Sequence, residues 1–345
     1  MSTSSESLTE ELAAAREGLV FRVQLTGELL RVTGADAPVW LQATLSQDLA
    51  PLAPGEGARS LLLDARAAVL ADLLVLREAE GYLLIADSDP ARPLAEELER
   101  RIFRETVELA PLGAASEQLL LAGPAAADFL RAQLGLAELP AAPQAHLRTA
   151  YAGWTLTLLA SPRLGPPGFE LILDAACGPQ GPEAPAAGEG AAGALRGLFR
   201  ALADAGARRL SPAAAEYLRI AAGRPRRDPD LSRVLPAEAG LVPAAVSVTK
   251  GCFPGQEVVM RQHSRGRPRW RPALLAGQGP APASGAALRT PAGESAGWVS
   301  SAAADGEGGF LAFAYLRAEE AAPALSLEDG RPLAAREPLP AGDWA

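Results

Sequence analysis

The sequence predicts an α+β fold closed by a C-terminal antiparallel β-barrel, on three observations. Strand-like segments come in runs with helices interspersed, not in strict strand–helix alternation. The chain has 345 residues of which 48% are hydrophobic, enough for two or three domains each with its own core. From Arg271 onward, short apolar runs separated by Pro and Gly read as strands of a small barrel.

Taken in order, residues 19–33 read as two strands around Thr26-Gly27, with Val20, Val23 and Leu25 in the first and Leu29 to Val32 in the second. A helix is predicted from Asp36 to Leu45, with Asp36 as N-cap and Pro38 in the first turn. Ser60–Leu63, Val69–Arg77 and Tyr82–Ala86 read as one antiparallel sheet, with a turn at Gly81. Leu94, Leu98 and Ile102 fall at helical spacing between Pro93 and Phe103. Strand, helix and strand recur over residues 106–150, with the helix from Pro124 to Leu134, and strands 153–160 and 169–174 follow. Residues 175–193 are a Pro/Gly/Ala-rich linker or loop. They contain GEGAAG, a formal dinucleotide-binding match, but the strand that such a motif requires ends near Asp174, well before it, so the match is compositional. A helix is predicted at Ala194–Leu202. Another is opened by Ser211-Pro212, runs through Ile220 and stops at Gly223, with cap, proline and glycine in their favoured places. Ala273–Leu275, Trp298–Val299 and Phe310–Leu316 supply barrel strands. The chain thus divides into N-terminal lobes (1–174), the linker (175–193), a second part of the same module (194–270) and the barrel (271–345).

Composition excludes several classes. Two distant cysteines, Cys177 and Cys252, make neither a disulfide framework nor a multi-cysteine metal site, and two histidines, His146 and His263, make no histidine-rich metal centre. No window approaches the roughly 18 unbroken apolar residues of a membrane span, and the first residues carry acids and no apolar core of a signal peptide. The expectation is a cytoplasmic protein with no membrane partner. Net charge is −9, yet residues 217–271 hold ten Arg and one Lys against four acids. A cationic segment on an acidic chain points to a local anion site rather than to a surface that coats nucleic acid. Its Arg224, Arg226 and Arg227 form one cluster and Arg261, Arg265 and Arg267 another; solvated Arg–Asp pairs on a loop are the plainer alternative.

Of 32 basic residues, Lys250 alone is lysine, and it opens Lys250-Gly251-Cys252-Phe253-Pro254-Gly255-Gln256-Glu257. Arg cannot replace Lys where a compact ammonium is required. Two glycines permit close backbone approach or positive φ. Cys252 between them, with cationic clusters nearby in sequence, meets conditions that favour a thiolate. Gln256 and Glu257 offer an amide and a carboxylate to a heterocycle. The same residues equally describe a turn leading into a strand Val258–Met260 in which the cysteine is a small buried apolar group.

The octapeptide, followed by Arg261 to Gly266 as R-x-x-x-R-G, resembles the signature of the YgfZ family of folate-binding proteins, relatives of the glycine-cleavage T-protein (an aminomethyltransferase). Further similarity lies in VTGADAPVWLQATLSQDL, LLLDARAAVLADLLVLREAEGYLL, YLRIAAGRP and GWVSSA, in the family's order. The resemblance implies a three-lobed ring around a central folate channel, with the barrel at the C-terminus. It implies tetrahydrofolate or a one-carbon derivative as cofactor, and a role in iron–sulfur cluster assembly or repair with iron–sulfur assembly proteins as partners. Through cluster enzymes that role would extend to tRNA modification. By the same resemblance Cys252 and Lys250 are the reactive pair, with Asp72, Arg219, Gln256, Glu257 and Arg261 binding the folate. One cysteine cannot hold a cluster alone, so any cluster would be shared or transient.

Departures separate this chain from the T-protein branch. That branch carries an Asp-Asp pair where Ala71-Asp72 stands, and a glutamate where Ala221 stands. These losses weaken the rival reading, aminomethyl transfer. The early Asn-Asp of relatives is Gln47-Asp48 in a chain without Asn, and their Lys-Gly-Arg turn is Arg66-Ala67-Ala68, which questions the hairpin there. A third reading, RNA binding by the Arg segment, lacks an aromatic stacking surface beyond Trp270.

Overall fold

A computed structural model describes residues 3–23, 27–88, 91–112, 116–161, 163–164, 168–174, 191–266, 268–319 and 324–337. Cys177, Arg267 and nearly all of the predicted linker lie outside the described residues.

The described chain builds two antiparallel-rich sheets and a closed barrel. The first sheet orders its strands as Arg208–Arg209, Val20–Val23, Ser116–Ala122, Gly168–Asp174, Trp154–Ala160 and His146–Tyr151. The second runs Gly57–Leu63, Val69–Glu78, Gly81–Ser88, Glu28–Thr33 and Glu108–Pro111. Six strands between Trp270 and Arg336 close the barrel. The α+β architecture with a C-terminal barrel is therefore observed.

Strand parity sorts the second sheet. Its outer face sends Ala71, Leu73, Val75 and Leu84 against Trp40, Leu41, Leu94 and Leu98 of two short helices, Ala37–Thr44 and Leu94–Glu99. Helices of this length are marginal alone; burial of such side chains, roughly 1.5–3 kcal/mol each, is what holds them. Its inner face packs Leu29, Leu74, Leu76, Leu83 and Ile85 on Leu159 and Ile172 of the first sheet. The cavity described below adjoins this contact and shares Leu74 and Ile85 with it.

Ser211 caps the helix Pro212–Ala221 as its sequence predicts, its side chain accepting from the Ala214 amide. Other elements differ. Asp36 makes no cap bond to its own helix; its carboxylate accepts from the Thr106 amide and ties down the next segment. Residues Thr3–Glu17 form a helix in addition to the expected elements. Val258–Met260, considered above as a strand, lies inside the helix Gln256–Arg265. The turn at Arg66-Ala67-Ala68 closes despite lacking glycine: Ala67 takes φ +61°, and the Asp64 carboxylate accepts the Arg66 and Ala68 amides at 2.8 Å each.

Candidate functional site

A cavity of about 510 Å³ lies between the inner faces of the two sheets, floored by the helix Pro212–Ala221 and the segment that follows it. Its polar wall comprises six guanidinium groups, Arg22, Arg59, Arg163, Arg219, Arg224 and Arg226, against three carboxylates, Asp72, Asp87 and Glu216. Leu74, Ile85, Leu120 and Leu164 make an apolar stripe across it. Strand alternation accounts for the pattern: Asp72 and Leu74, and Ile85 and Asp87, share the inner face of adjacent strands, with Asp72 paired directly opposite Asp87.

Two of the carboxylates are fully committed. Arg59 grips Asp72 through Nε–Oδ1 at 2.8 Å and Nη2–Oδ2 at 2.5 Å. Arg219 grips Glu216 through Nε–Oε2 at 3.0 Å and Nη2–Oε1 at 2.8 Å, and Arg226 approaches the same carboxylate at 3.3 Å. Burial works against the charged form of Glu216, but the Arg219 hydrogen bonds and neighbouring guanidiniums win and hold it below the ordinary carboxylate range. Asp87 goes the other way: burial and the facing Asp72 raise it, although the Arg227 amide donates to its Oδ2 at 2.8 Å. Burial, then the nearby charges of Arg59 and Arg163, push Arg224 down to about 9. Guanidiniums crowded in this way favour an anionic guest.

A second layer fixes these groups. Arg219 also donates to Asp230 Oδ2 at 2.9 Å and to Ser301 Oγ of the barrel at 2.8 Å, so the barrel braces the cavity wall.

The octapeptide is placed differently from the sequence expectation. Lys250 Nζ donates to the carbonyls of Gln42, Leu45 and Gln47, the last two at 2.6 and 3.1 Å, at the C-terminal end of the helix Ala37–Thr44. Phe253 is buried in the core against Leu61, Leu63 and Val69. Gly255, at φ +78°, lies so close to the Asp64–Ala67 turn that a Cβ would come within 2.7 Å of the Asp64 carbonyl oxygen. Gln256 Nε2 closes the loop onto the carbonyls of Lys250 and Gly251 at 3.4 and 3.5 Å. The motif is a clamp, and what it presents is Cys252, exposed and with a free thiol. Gln47 belongs to the same clamp, donating to the carbonyls of Pro243 and Ala244.

Of the residues singled out in the sequence, Asp72 and Arg219 line the cavity; Lys250, Cys252, Gln256, Glu257 and Arg261 are not in its described wall. Glu257 and Arg261 are exposed on the helix Gln256–Arg265. Cys252 is an exposed thiol on a loop that Lys250 holds in place. The arguments from Ala71 and Ala221 also change. Ala71 is buried on the outer face of its sheet and Ala221 in the core beside Ile220, so neither methyl faces the cavity, whereas Asp72 does. Arg219, Arg224 and Arg226 line the cavity, Arg226 with its side chain still partly exposed. Arg22, Arg59, Arg163, Asp87 and Glu216 were not anticipated; the readable signal was a lone charge interrupting a buried apolar strand, as at Asp72 and Asp87.

Comparison with known proteins places this geometry. Residues 2–247 match the GCVT N-terminal domain family. An aminomethyltransferase of Saccharopolyspora erythraea is 28% identical over 317 residues, 90% of this chain and 81% of that protein. One from Geobacillus kaustophilus is 30% identical over 267 residues, 75% and 68% respectively. The crystal structure of glycine cleavage system aminomethyltransferase T from Bartonella henselae superposes with a TM-score of 0.80 at 24% identity, covering 96% of this chain and 88% of that one, a likeness of fold.

Proposed function

The chain belongs to the GCVT N-terminal domain family, and from that premise we propose that it is a reduced-folate-binding protein that takes tetrahydrofolate or a one-carbon derivative into the cavity between its sheets. The observation that carries this reading is the cavity wall: six guanidiniums and three carboxylates around an apolar stripe. Its volume of about 510 Å³ is within the range of roughly 300–1,000 Å³ usual for small-molecule sites. The residues fit the group. Arg226 Nε is buried with no hydrogen-bond partner among the described residues, and an acidic glutamyl tail would satisfy it. Leu74, Ile85 and Leu120 offer flat apolar contact to a ring system. Folate, when bound, supplies a carrier for one-carbon units; the protein's part is to orient it, neutralise its tail and exclude water.

In this reading the exposed Cys252 is a second, separate feature. It supports a role in iron–sulfur cluster assembly or repair, with the thiol offered to a partner or to a cluster in transit, and through cluster enzymes to tRNA modification. Calorimetry with 5-formyltetrahydrofolate tests the binding claim: Arg22→Ala and Arg226→Ala are each expected to weaken affinity about tenfold, the size of a lost charge-assisted hydrogen bond. Absence of binding by the wild type sinks it. Complementation of a strain deficient in cluster repair, wild type against Cys252→Ala, tests the second feature; full rescue by the variant refutes the thiol role.

Aminomethyl transfer is the second reading. It is favoured by the names of the two relatives and by Asp72 standing in the cavity wall. Methylene transfer from aminomethylated lipoyl carrier protein to tetrahydrofolate would establish it.

A further inference from the structure

We propose that three arginines stacked around the Trp270–Trp298 pair of the barrel form a small patch that binds a few nucleotides of single-stranded nucleic acid. Neither the arginines nor the indoles line the cavity, so the patch stands or falls apart from the folate reading.

The sequence offers one aromatic among its arginines, and the fold supplies a second. Trp270 opens the strand Trp270–Gln278, Trp298 lies on the strand Ser295–Ala304, and the two indoles meet edge to face with centroids 4.6 Å apart. Both are half-buried against the core. Arg269 and Arg317 stand over the Trp270 ring at 5.2 and 5.8 Å from its centroid, and Arg233 stands over Trp298 at 5.4 Å. Arg317 is the register partner of Trp270, while Arg233 comes from the segment between the helix Pro212–Ala221 and the octapeptide. All three arginines are exposed.

What they lack is a carboxylate. Arg31, Arg59, Arg131, Arg208 and Arg289 each hold one. Arg233, Arg269 and Arg317 pair with none among the described residues, and the acids nearest them in the chain do not supply one. Asp230 is taken by Arg219, Glu238 accepts the Leu235 amide, and the exposed Glu294 and Glu319 make no ion pair with a described residue. A guanidinium stacked on an indole keeps its in-plane N–H donors free and its orientation fixed, the arrangement that grips a phosphate through two parallel hydrogen bonds. The patch thus sets phosphate donors beside flat π surfaces. Bases stack on indoles and on guanidinium planes alike, whereas an acidic polypeptide has no such face to present. On a chain of net charge −9 this makes for local, strongly salt-dependent binding.

The test is fluorescence anisotropy of a labelled oligouridylate of about 15 nucleotides, titrated with the full chain from about 50 to 200 mM salt. The proteins are wild type, Arg269→Gln/Arg317→Gln, Trp270→Ala, Trp270→Phe and the control Arg131→Gln. Arg131 lies on another element, the helix Ala126–Leu134, and pairs with Asp128. Wild type and the control are expected to bind alike. The double arginine variant is expected to bind at least tenfold more weakly at the lower salt, with a log–log slope flatter by about 1.4, the share of two phosphates on a single strand. Trp270→Ala is expected to lose at least fivefold with little change of slope, and Trp270→Phe to recover most of that, a separation of stacking from charge that mere support of the fold would not produce. Should Trp270→Ala not fold, the arginine variant and competition decide: inorganic polyphosphate and polyglutamate are each expected to displace the probe at least tenfold less well than unlabelled oligouridylate. No binding by wild type, equal binding by the double variant, or an equal loss in Arg131→Gln overturns the proposal. So does polyphosphate or polyglutamate competing as well as RNA, which would mark a site for anions in general or for an acidic protein.

Discussion

Lys250 Nζ stands 2.6 Å from the carbonyl oxygen of Leu45, the residue that ends the helix Ala37–Thr44, and bonds the carbonyls of Gln42 and Gln47 as well. Three carbonyls converging on one point at a helix C-terminus call for a compact cation with three diverging donors. An ammonium meets that geometry and a planar guanidinium does not. This gives a physical reason for the single lysine in a chain that otherwise uses arginine.

Lys250→Arg and Lys250→Met are therefore both expected to destabilise, by about 1–3 kcal/mol, the cost of leaving buried carbonyls unpaired. Chemical denaturation reads the loss. Faster alkylation of Cys252 in the variants reads the loosened loop; an unchanged alkylation rate would show that Lys250 does not hold it. Burial brings Lys250 down to about 8, against a smaller opposing effect of Asp48. The unfolded chain therefore holds this proton more tightly than the folded one, so the burial penalty on the ammonium is fully present below about pH 8 and is relieved as pH rises from there through the ordinary lysine range.

Gly255 tests the same clamp from its other end. At φ +78°, with the Asp64 carbonyl oxygen 2.7 Å and the Ala67 Cα 2.9 Å from where a Cβ would sit, Gly255→Ala adds a left-handed penalty of roughly 1 kcal/mol and a steric clash with backbone. A loss of about 2–4 kcal/mol is expected, whereas Gly251→Ala, with nothing within 4 Å, is expected to change stability by less than about 1 kcal/mol. Equal effects at the two glycines would contradict this placement of the loop.

How much of this was legible depended on the range of the interaction. The Ser211 cap lies within four residues of its partner, and the sequence alone places it. Asp36 looked like a cap because of its position, but its acceptor is better used by Thr106, seventy residues on, which no local rule anticipates. Val258 and Val259 are β-branched and invite a strand reading. The backbone is helical because Gly255 turns the chain there and Val259 is buried in the core. The octapeptide was legible as a unit, while its purpose was not: Lys250 meets the end of a helix some two hundred residues earlier. The cavity was the least legible feature. Arg22, Arg59, Arg163 and Arg224 come from four distant segments and gather only when the chain is folded. Strand parity could have separated Ala71 from Asp72, since adjacent residues of a strand face opposite ways.

The Arg59–Asp72 pair is nearly enclosed, with side-chain exposures of 14% and 13%. Breaking one side leaves an uncompensated charge, so Arg59→Met is expected to cost about 3–5 kcal/mol. The double variant Arg59→Met/Asp72→Leu should recover a large part of that loss, because no charge is then stranded. A double variant as unstable as the single would show that the pair's partners, not its charge balance, hold the wall together.

His146 gives a pH dependence that is directly observable, because the chain has only one other histidine, His263. Its strand lies at the edge of the first sheet, and its amide donates to the Gly55 carbonyl at 2.8 Å, joining the first sheet to a turn of the second. Burial lowers His146 below the ordinary histidine value, outweighing the Gln144 backbone hydrogen bond and the Glu78 charge that act the other way. The unfolded chain therefore takes up this proton more readily than the folded one, so the stability is present above about pH 6.5 and is lost as pH falls toward the folded value. Two imidazole signals followed by NMR, assigned with His146→Gln, are expected to show His146 titrating below 6.5. The variant's thermal midpoint should fall less than wild type's between pH 7 and pH 5. Titration of His146 at or above 6.5, or an equal fall in midpoint for both proteins, would remove His146 from the acid sensitivity of the junction between the sheets.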